Sequence, residues 1–525
     1  MGTEPLEYLI IGAGPAGLQL AQHLGAAGRD YLVLEAGPAP GTFFTRFPRH
    51  RQLISINKPH TGTTDPELNL RMDWNSLLSP DPGLLFTRYT ERYFPAADDL
   101  LHYLDDYARE FGLNIRYETT VDRVRRDRDG FEIAGPAGRT WRARRVVVAT
   151  GVSQPYIPPI PGIELAEQYA TVPVDPRGFT DQRVLVIGKG NSALETADNL
   201  VETAAVIHVA GPSSLRLAWK THYVGHLRAV NNNFLDTYQL KSQNAVLDGH
   251  VQSIEKTDGG QFLVRFSFSR ASEVVKELRY DRIIACTGFR FDAGIFDPDC
   301  QPTLVHHDRF AQLTAAYEAA GVPDLYMAGT LMQQRDFKKS TSGFIHGFRY
   351  GVQALHHILE LRYHGVPWPS RPLAATPDAV ADAVLARVNR TSALWQQFGV
   401  LGDVVLPGDD GTAHYLAEVP VDFVLDDGLG QLADVLIVTL EYGPGHDQVD
   451  PFDISVSRVA QDDAAHSGDA AYLHPVVRRY AGGELVATHH VAENLDNEWD
   501  KPAHRDPLVA FLTAQRPGRA AATAR

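Results

Sequence analysis

The chain has 525 residues and a net charge of −15, and these two numbers narrow the classes of protein it can be. A chain of this length exceeds one ordinary core, so we expect two or three domains. Its acidic balance argues against a general nucleic-acid-binding protein, which needs a basic face. The only cysteines, Cys286 and Cys300, supply neither a disulfide framework nor a C-x-x-C dithiol.

The N-terminal segment predicts a dinucleotide-binding fold. LEYLIIGAGPAGLQLAQHL is typical of a strand, a glycine-rich turn and a helix, and Gly12, Gly14 and Gly17 fit the pattern G-x-G-x-x-G. The glycines allow a tight turn, approach of the backbone to a pyrophosphate, and close packing of helix on strand. The next strand, DYLVLEAG, ends at Glu35, about 20 residues on, where a carboxylate accepts hydrogen bonds from ribose hydroxyls.

A second segment, QRVLVIGKGNSALETADNL, repeats this pattern with Gly188, Gly190 and an alanine at the third position. The strand that follows, AAVIHVAG, ends without an acidic residue and continues as PSSLRLAWK. Ser213, Ser214 and Arg216 there could bind a 2′-phosphate, which a carboxylate would repel. The pattern therefore favours NADPH over NADH, with the alternative that Arg216 is only a surface arginine.

Three later strands also end in glycine, and the first two predict crossings between a nucleotide fold and its insertion. RRVVVATG ends at Gly151, YDRIIACTGF passes Gly288, and PDLYMAGTL closes at Gly329, before the helix GFIHGFRYGVQALHHILE. The predicted fold class is α/β, with two nested Rossmann-like dinucleotide-binding domains and an α+β C-terminal domain.

Together these motifs resemble the two-dinucleotide-binding-domain flavoproteins over residues 6 to about 362. This family includes glutathione and thioredoxin reductases, flavin-containing monooxygenases, and lysine or ornithine N-hydroxylases. The missing dithiol, and Gly329-Thr330 in place of the reductases' Gly-Asp, favour the monooxygenase branch. ATGVSQPYIPPIPGIE is similar to a monooxygenase segment, but the histidine of the F-x-G-x-x-x-H fingerprint is absent, which leaves an N-hydroxylase-like or separate subgroup open.

The resemblance implies FAD in the first fold and NADPH in the second. The predicted domains are an FAD-binding domain (1–172 and 300–366), an inserted NADPH-binding domain (173–299), a C-terminal cap, dimerisation or partner domain (367–515), and a disordered tail (516–525). The predicted cofactor-binding residues are Gly12, Gly14, Pro15, Ala16, Gly17, Glu35, Ala36, Phe44, Arg46, Val121, Thr150, Gly151, Gly188, Gly190, Asn191, Ser192, Ser213, Arg216, Thr287, Gly288, Gly329 and Thr330.

A closer resemblance extends over nearly the whole chain. RDYLVLEAGPAPGTFFTRFPRHRQLISINK, DWNSLLSPDP and THYVGHLRAVNNNFLDTYQLKS are similar to the FAD-dependent oxidoreductase domain-containing proteins of the vertebrate endoplasmic reticulum. Those proteins are associated with degradation of misfolded glycoproteins and carry a signal peptide and a retrieval tail. This chain shows neither a signal peptide nor an apolar run long enough for a bilayer, so we expect a soluble, cytoplasmic bacterial relative without that role.

Residues 41–62 crowd six basic or histidine side chains directly behind the Glu35 strand. By the resemblance this stretch runs along the flavin, so its charges could balance a buried diphosphate, with Arg46 the leading candidate. The alternative is that Arg49, His50 and Arg51 form a solvated face.

Asn57 and Lys58 are the predicted catalytic residues. Flavin monooxygenases place an asparagine from a similar segment beside the flavin C4a atom, where it would stabilise a C4a-hydroperoxide by donating a hydrogen bond. Lys58 would position NADP+ or an anionic substrate. The alternatives are that Asn57 forms a turn and that Lys58 contacts a phosphate. The polar loop at 219–233 suits either a nicotinamide or substrate pocket or an ordinary surface loop.

These observations predict an NADPH-dependent FAD monooxygenase that oxygenates a nucleophilic heteroatom of an amine or thioether with O2. N-hydroxylation of an amine or amino acid is the favoured reaction. The rival predictions are an NADPH oxidase or electron-transfer flavoprotein that acts with a protein partner, and a non-enzymatic, flavin-stabilised adaptor. We expect no nucleic acid, no membrane and no metal, and a homodimer is the candidate assembly.

Overall fold

The computed structural model describes residues 4–240, 243–272, 274–408, 411–426 and 434–515. These residues form two compact units. Unit 1 takes its described residues from Met1–Pro59, Gly83–Gln312 and Ala319–Tyr326. Unit 2 takes its described residues from His60–Pro82, Leu313–Glu318 and Met327–Arg525. The predicted tail at 516–525 lies outside the described residues.

The first eighteen strands belong to unit 1 or begin in it. They are β1 (Leu6–Ile11), β2 (Tyr31–Leu34), β3 (Ile115–Arg116), β4 (Arg123–Asp127), β5 (Gly130–Ala134), β6 (Thr140–Val148), β7 (Gln154–Pro155), β8 (Glu167–Gln168), β9 (Arg183–Ile187), β10 (Val206–Gly211), β11 (Ala245–Lys256), β12 (Phe262–Phe268), β13 (Val275–Tyr280), β14 (Arg282–Ala285), β15 (Phe289–Arg290), β16 (Leu304–Val305), β17 (Phe310–Ala311) and β18 (Leu325–Met327). The other six form the sheet of unit 2: β19 (Ser370–Ala374), β20 (Leu401–Pro407), β21 (Thr412–Pro420), β22 (Asp434–Glu441), β23 (His474–Ala481) and β24 (Glu484–His490).

Twelve α-helices are formed by the described residues. In chain order they are α1 (Pro15–Ala26), α2 (Phe43–Arg46), α3 (Pro66–Met72), α4 (Ala97–Glu110), α5 (Asn191–Leu200), α6 (Ala218–Thr221), α7 (Asn233–Gln239), α8 (Ile345–His364), α9 (Pro377–Arg390), α10 (Ala393–Gln396), α11 (Val421–Asp426) and α12 (Pro502–Ala514). None of them has the length and apolar character needed to cross a membrane.

The first sheet of unit 1 has the order β3-β2-β1-β6-β5-β4, with β18 also paired to β6. Strands β3, β2, β1 and β6 are parallel, and α1 connects β1 to β2 as a βαβ unit. The strand β1 reads LEYLII, and its last four residues are buried, as expected for a parallel strand covered on both faces. Strands β4 and β5 extend the β6 edge as an antiparallel hairpin.

The second sheet repeats the parallel core inside the same unit, with the order β13-β12-β11-β10-β9-β14-β8. Strands β11, β10, β9 and β14 are parallel, and α5 connects β9 to β10. Here the antiparallel hairpin β12–β13 extends the β11 edge, on the opposite side from the hairpin of the first sheet. The α/β class and the two Rossmann-like sheets are as predicted.

Unit 2 is built on an antiparallel sheet of order β19-β21-β20-β22-β23-β24. Helices α9 and α12 pack together, and Val384, Trp499 and Leu508 are completely buried in the core that they share with the sheet. Burial of apolar area at about 25 cal/mol per Å² is the main driving force for such a core.

The division into units differs from the predicted domain boundaries. Residues 327–366, expected in the FAD-binding domain, pack in unit 2 together with 60–82. Tyr350 on α8 belongs to the core of unit 2. The fully buried Arg349 donates to the carbonyls of Asp73 and Ser76, each at 2.9 Å, and of Leu70 at 2.7 Å. The buried contacts of α8 therefore place this helix in unit 2, and the sequence motifs do not indicate those contacts.

Candidate functional site

The first glycine-rich turn leaves no room for side chains. Gly12 has φ +103°, and its N–H donates to the Leu34 carbonyl at 2.8 Å. A Cβ at Gly12 would lie 3.0 Å from the Ala149 carbonyl oxygen, and one at Gly17 would lie 2.0 Å from the Gly12 carbonyl oxygen. The turn is therefore a cradle that glycine alone permits, as close approach of a pyrophosphate requires.

Helix α1 begins directly after this turn and offers an anion-binding end. Gly14 precedes the helix in an extended conformation, Pro15 occupies its first position, and no side chain caps the helix. The first turn, Pro15, Ala16 and Gly17, is uncharged and buried. Free N–H groups and the positive end of the helix dipole suit a diphosphate.

Glu35 lies beside the same turn and is 7% exposed. One carboxylate oxygen accepts from the Ala13 N–H at 2.7 Å and the other from the Gly37 N–H at 2.8 Å. Each oxygen keeps a further lone pair for a ribose hydroxyl. Nearby, Ala36 is exposed and Val121 is buried, so the residues present at this strand end fit the adenosine of a dinucleotide.

The second turn has the same backbone geometry. Gly188 has φ +128°, its N–H donates to the Ala210 carbonyl at 2.8 Å, and its Cβ would lie 2.2 Å from the Cys286 carbonyl oxygen. Gly190 precedes α5, which no side chain caps and which has no acidic residue in its first turn. A second dinucleotide therefore fits here by the same criteria.

The strand end of this second fold carries cations where the first carries Glu35. The Lys189 ammonium donates to the Ser213 carbonyl at 3.0 Å and is ion-paired to Asp248. Arg270 lies 3.0 Å from the other Asp248 oxygen and donates to the Ser214 hydroxyl at 3.1 Å. Arg216, predicted from the sequence, is exposed. No sequence pattern indicated Lys189, Asp248 or Arg270, although Lys189 lies inside the glycine motif.

The polar loop at 219–233 is fixed to the start of α5. The Asn191 amide donates to the His226 carbonyl at 2.8 Å and accepts from the Arg228 N–H at 3.0 Å. Ser192, the next predicted residue, accepts at its carbonyl from Thr196 at 2.8 Å. The loop therefore lies at the helix end that would bind the second diphosphate.

The two crossing segments between the folds pair with each other. Strands β7 and β15 are antiparallel, with Phe289 opposite Pro155. Thr287 donates to the Tyr156 carbonyl at 2.5 Å, and the Tyr156 N–H donates to the Gly288 carbonyl at 2.9 Å. Thr150 and Gly151 are half-buried at the start of the first crossing, and a Cβ at Gly151 would meet open space.

Several side chains of the basic segment (residues 41–62) bind protein groups. The Arg49 N–H donates to the Tyr169 hydroxyl at 3.1 Å, and its guanidinium donates to the Val172 carbonyl at 2.8 Å. The Tyr169 hydroxyl in turn donates to Glu195 on α5. Burial and the neighbouring Arg49 lower the pKa of His50 to about 4, so this imidazole is neutral at pH 7. The segment therefore ties the first fold to the second.

The leading diphosphate candidate of the segment, Arg46, is exposed and lies in an open cleft with Gln154, Arg290 and Thr171. Phe44 is half-buried on the short helix α2 and contacts Phe43 edge-on. Arg51, offered as part of a solvated face, donates to the Phe44 carbonyl and to Asp98, both at 2.5 Å. Arg46 therefore lies in a cleft beside the crossing segments, and its role at the diphosphate stays a prediction.

The Asn57 side chain is fully enclosed by protein atoms. Its amide donates to the Thr90 carbonyl at 2.7 Å and to the Arg92 carbonyl at 3.3 Å, while its Oδ1 has no hydrogen-bond partner among the described residues. Lys58 is exposed. Both amide hydrogens are thus directed at backbone, so this geometry favours Asn57 as a positioning residue for the 90–93 loop. Its catalytic role stays a prediction.

Gly329 and Thr330 belong to unit 2. Gly329 has φ +72° and starts a short 3₁₀ helix, and Thr330 donates to the Gly343 carbonyl at 3.3 Å. Asp336, six residues later, is 2% exposed, and burial raises the pKa of its carboxyl to about 7. The Ser342 N–H donates to it at 3.1 Å.

Both cysteines are buried and free. Burial raises the pKa of the Cys286 thiol to about 12 and that of the Cys300 thiol to about 11. The thiolate is the reactive form, so neither side chain has the chemistry of a redox-active dithiol at neutral pH.

The chain matches known proteins in sequence and in structure. The family described as pyridine nucleotide-disulphide oxidoreductase matches residues 9–329. FAD-dependent oxidoreductase domain-containing protein 2 of Mus musculus is 39% identical over 560 residues, which cover 96% of this chain and 83% of that protein.

Two solved structures share the fold at low identity. Bacillithiol disulfide reductase Bdr from Staphylococcus aureus is 18% identical with a TM-score of 0.53, over 69% of this chain and 100% of that one. A flavin-containing monooxygenase from Stenotrophomonas maltophilia is 20% identical with a TM-score of 0.52, over 68% and 98%. With two glycine cradles in one unit and a family match across both of them, the chain belongs to the pyridine nucleotide-disulphide oxidoreductase family of flavin-dependent oxidoreductases.

Proposed function

We propose that the protein is an NADPH-dependent FAD monooxygenase that oxygenates a nucleophilic heteroatom. The favoured substrates are an amine or amino acid, which would be N-hydroxylated, and a thioether is the next candidate. The fold is shared with a disulfide reductase and with a flavin-containing monooxygenase, so the choice between these reactions depends on the chain's own residues.

The observation that carries the proposal is the state of the two cysteines. Passing electrons to a disulfide through the protein needs an accessible, low-pKa thiol. The Cys286 thiol lies inside the second fold, 3.9 Å from the Thr196 hydroxyl, and Cys300 donates to the Val124 carbonyl at 3.2 Å. With both thiols buried and protonated, O2 is the acceptor that the remaining chemistry favours.

The chain has two nucleotide frames: the first is β1, the glycine turn, α1 and β2, and the second is β9, the glycine turn, α5 and β10. Each frame has a defined role in this proposal. The first turn and Glu35 would hold the pyrophosphate and ribose of FAD, and the second turn would hold those of NADPH. Bound FAD supplies two-electron transfer from NADPH and reaction with O2. The pairing of β7 with β15 and the contact of Arg49 with Tyr169 would keep the two folds in a fixed orientation. Asn57 would position the 90–93 loop.

A second function, NADPH oxidase, is favoured by one observation. The amide hydrogens of Asn57 already bind backbone carbonyls, so the side chain has no donor left to protect a reactive oxygen species from elimination as H2O2. An oxidase would use the same two frames and release H2O2 without modifying an organic substrate.

One experiment distinguishes a monooxygenase from an oxidase by comparing the NADPH consumed, the H2O2 released and the ¹⁸O in product. The purified flavoprotein is supplied with NADPH and ¹⁸O2, with and without a panel of amines, amino acids and thioethers. A monooxygenase is expected to consume more NADPH than the H2O2 it releases and to place one ¹⁸O atom in a product. Stoichiometric H2O2 with every compound would replace the proposal with an oxidase. Failure of NADPH to bleach the flavin under nitrogen would leave the non-enzymatic adaptor.

A further inference from the structure

The carboxyl-end edge of the second sheet holds a compact charged cluster that the sequence motifs do not describe. Gly211, the last residue of β10, lies opposite Asp248 of β11 in the parallel register. Lys189, from the glycine turn, is ion-paired to Asp248 and passes so close to Gly211 that a Cβ there would lie 3.3 Å from the lysine Cγ. Arg270 follows β12 and reaches the same carboxylate at 3.0 Å.

This cluster carries one net positive charge, because two cations share the Asp248 carboxylate. The Lys189 side chain is 7% exposed, which fixes its ammonium in place, whereas the Arg270 side chain is 74% exposed. Arg270 directs one N–H to Asp248 and one to the Ser214 hydroxyl at 3.1 Å, so further donors of its guanidinium face solvent. A fixed cation beside an accessible guanidinium suits a phosphate group.

The position of the cluster at the end of β10 indicates which phosphate of a nucleotide it would contact. In the first fold the strand end beside the glycine turn carries Glu35, the residue type that reads unmodified ribose hydroxyls. The matching strand end in the second fold is that of β10, so the adenosine ribose of a second nucleotide would lie there. A free carboxylate would favour NADH, but Asp248 is bound to two cations and cannot repel a 2′-phosphate as a bare acid would.

We propose that Lys189 and Arg270, oriented by Asp248 and with the Ser214 hydroxyl, form the subsite that recognises the 2′-phosphate of NADPH. The inference rests on the proposed use of a nicotinamide nucleotide but not on oxygenation. It assigns specificity to a lysine within the glycine turn and to an arginine of the β12–β13 connection, in place of the exposed Arg216.

Binding of two adenosine fragments tests this assignment without turnover. Calorimetry on the full-length flavoprotein compares adenosine 2′,5′-bisphosphate with 5′-AMP, which differ only in the 2′-phosphate. Arg270→Ala is expected to weaken the bisphosphate by roughly ten- to a hundred-fold and leave 5′-AMP unchanged, since a hydrogen bond to a charged group contributes that much. Arg270→Lys should restore part of the loss, and added salt should weaken only the bisphosphate.

Matched variants make each outcome decisive. Arg265→Ala removes an exposed arginine of the same hairpin that binds Gln252 instead, so it should leave both affinities unchanged. Lys189→Met keeps the length of the buried side chain and should also weaken the bisphosphate alone. Equal binding of the two fragments by the unmodified protein, binding of neither, or loss of the preference in Arg216→Ala but not in Arg270→Ala would overturn the inference. Each result is independent of whether the enzyme oxygenates a substrate.

Discussion

The two nucleotide frames of unit 1 share one backbone and differ in charge. The N–H of the first glycine donates to the end of the neighbouring strand at 2.8 Å in both, from Gly12 to Leu34 and from Gly188 to Ala210. The strand on the other side of the turn also pairs in the same way. Directly after β6 the Ala149 N–H donates to the Ile11 carbonyl, and directly after β14 the Cys286 N–H donates to the Ile187 carbonyl, both at 2.8 Å. Backbone geometry therefore makes each frame a dinucleotide site without distinguishing the nucleotide.

The side chains at the strand ends make the distinction. The first frame presents one buried carboxylate, Glu35, held by two backbone N–H groups. The second presents Lys189 and Arg270 around Asp248. The difference follows from topology, because the hairpin of the second sheet extends the β11 edge and brings Arg270 to the strand end. The first sheet extends its opposite edge. The sheet edge that carries the antiparallel hairpin thus determines which charged side chains lie at the strand end beside the glycine turn.

The largest expected effect comes from removing one frame at a time. Gly12→Val introduces strain at φ +103° and a contact with Ala149, so the protein should purify without flavin. Gly188→Val should keep the flavin but lose reduction by NADPH, because its clash lies in the second frame. Absorbance at the flavin bands and anaerobic bleaching measure the two losses.

The control for these two variants is Gly138→Val. Gly138 has φ +71°, and a Cβ added there would meet open space, so this variant carries the backbone strain alone and should retain both cofactors. Loss of flavin from both frame variants would contradict the assignment of one nucleotide to each frame.

A second test concerns the fifth residue of each frame helix, which is the buried Gln19 in α1 and the buried Glu195 in α5. Burial raises the pKa of Glu195 from 4.5 to about 7. The folded state then holds an extra proton between these values, so the free energy of unfolding is highest below pH 4.5 and falls as the pH rises to about 7. The whole fall is on the order of 3 kcal/mol.

Glu195→Gln makes the second frame like the first and should remove that fall. Denaturant unfolding at pH 5 and pH 8 measures it as the difference between the two proteins. The raised pKa values of Asp336 and Glu418 in unit 2 add a pH dependence of the same sign, which cancels because both proteins contain them. An unchanged pH slope in Glu195→Gln would show that this carboxyl ionises normally in the fold.

A smaller effect is expected from the acid of the first frame. Glu35→Gln keeps the side-chain length but replaces a charged acceptor with an amide whose NH2 meets an N–H donor, either Ala13 or Gly37. FAD affinity should fall by about 2 kcal/mol, measured by titrating the flavin-free protein. NADPH fragment affinity serves as the control and should not change.

The smallest effect is expected at Asn57. Asn57→Ala removes the hydrogen bonds to the Thr90 and Arg92 carbonyls and should lower the free energy of unfolding by about 1 kcal/mol. It should raise H2O2 released per NADPH without abolishing flavin reduction. Asn114→Ala, which removes an amide bond to the Tyr31 carbonyl at 2.8 Å, is the matched control and should destabilise without uncoupling. Equal uncoupling in the two variants would reject a role for Asn57 in the reaction.

Local motifs predicted the frames because glycine spacing and strand periodicity act over short stretches of chain. The turns at Gly12 and Gly188 and the strand that ends at Glu35 follow from neighbouring residues alone. Arg270, by contrast, lies well beyond the end of β10 in the sequence and reaches the second nucleotide site through a sheet edge that no local pattern specifies.

The same limit explains the basic segment and the boundary near 327. Charge density at 41–62 predicts an anion site but not the partners of Arg49, since Tyr169 and Val172 lie more than a hundred residues away. Helix α8 continues the third flavin element in sequence, yet Arg349 and Tyr350 bury their side chains in unit 2. Packing partners distant in sequence therefore determine both the contacts of Arg49 and the unit to which α8 belongs.

Buried cysteines give the molecule a built-in reporter of local opening. Cys286 and Cys300 both lie in unit 1, and their raised pKa values make them slow to react with alkylating reagents while that unit is closed. Alkylation followed by mass spectrometry therefore times the opening of the nucleotide-binding unit and is blind to unit 2, which contains no cysteine in the sequence. A slower alkylation of Cys286 in the presence of added NADPH fragments would then report ligand binding in the unmodified chain.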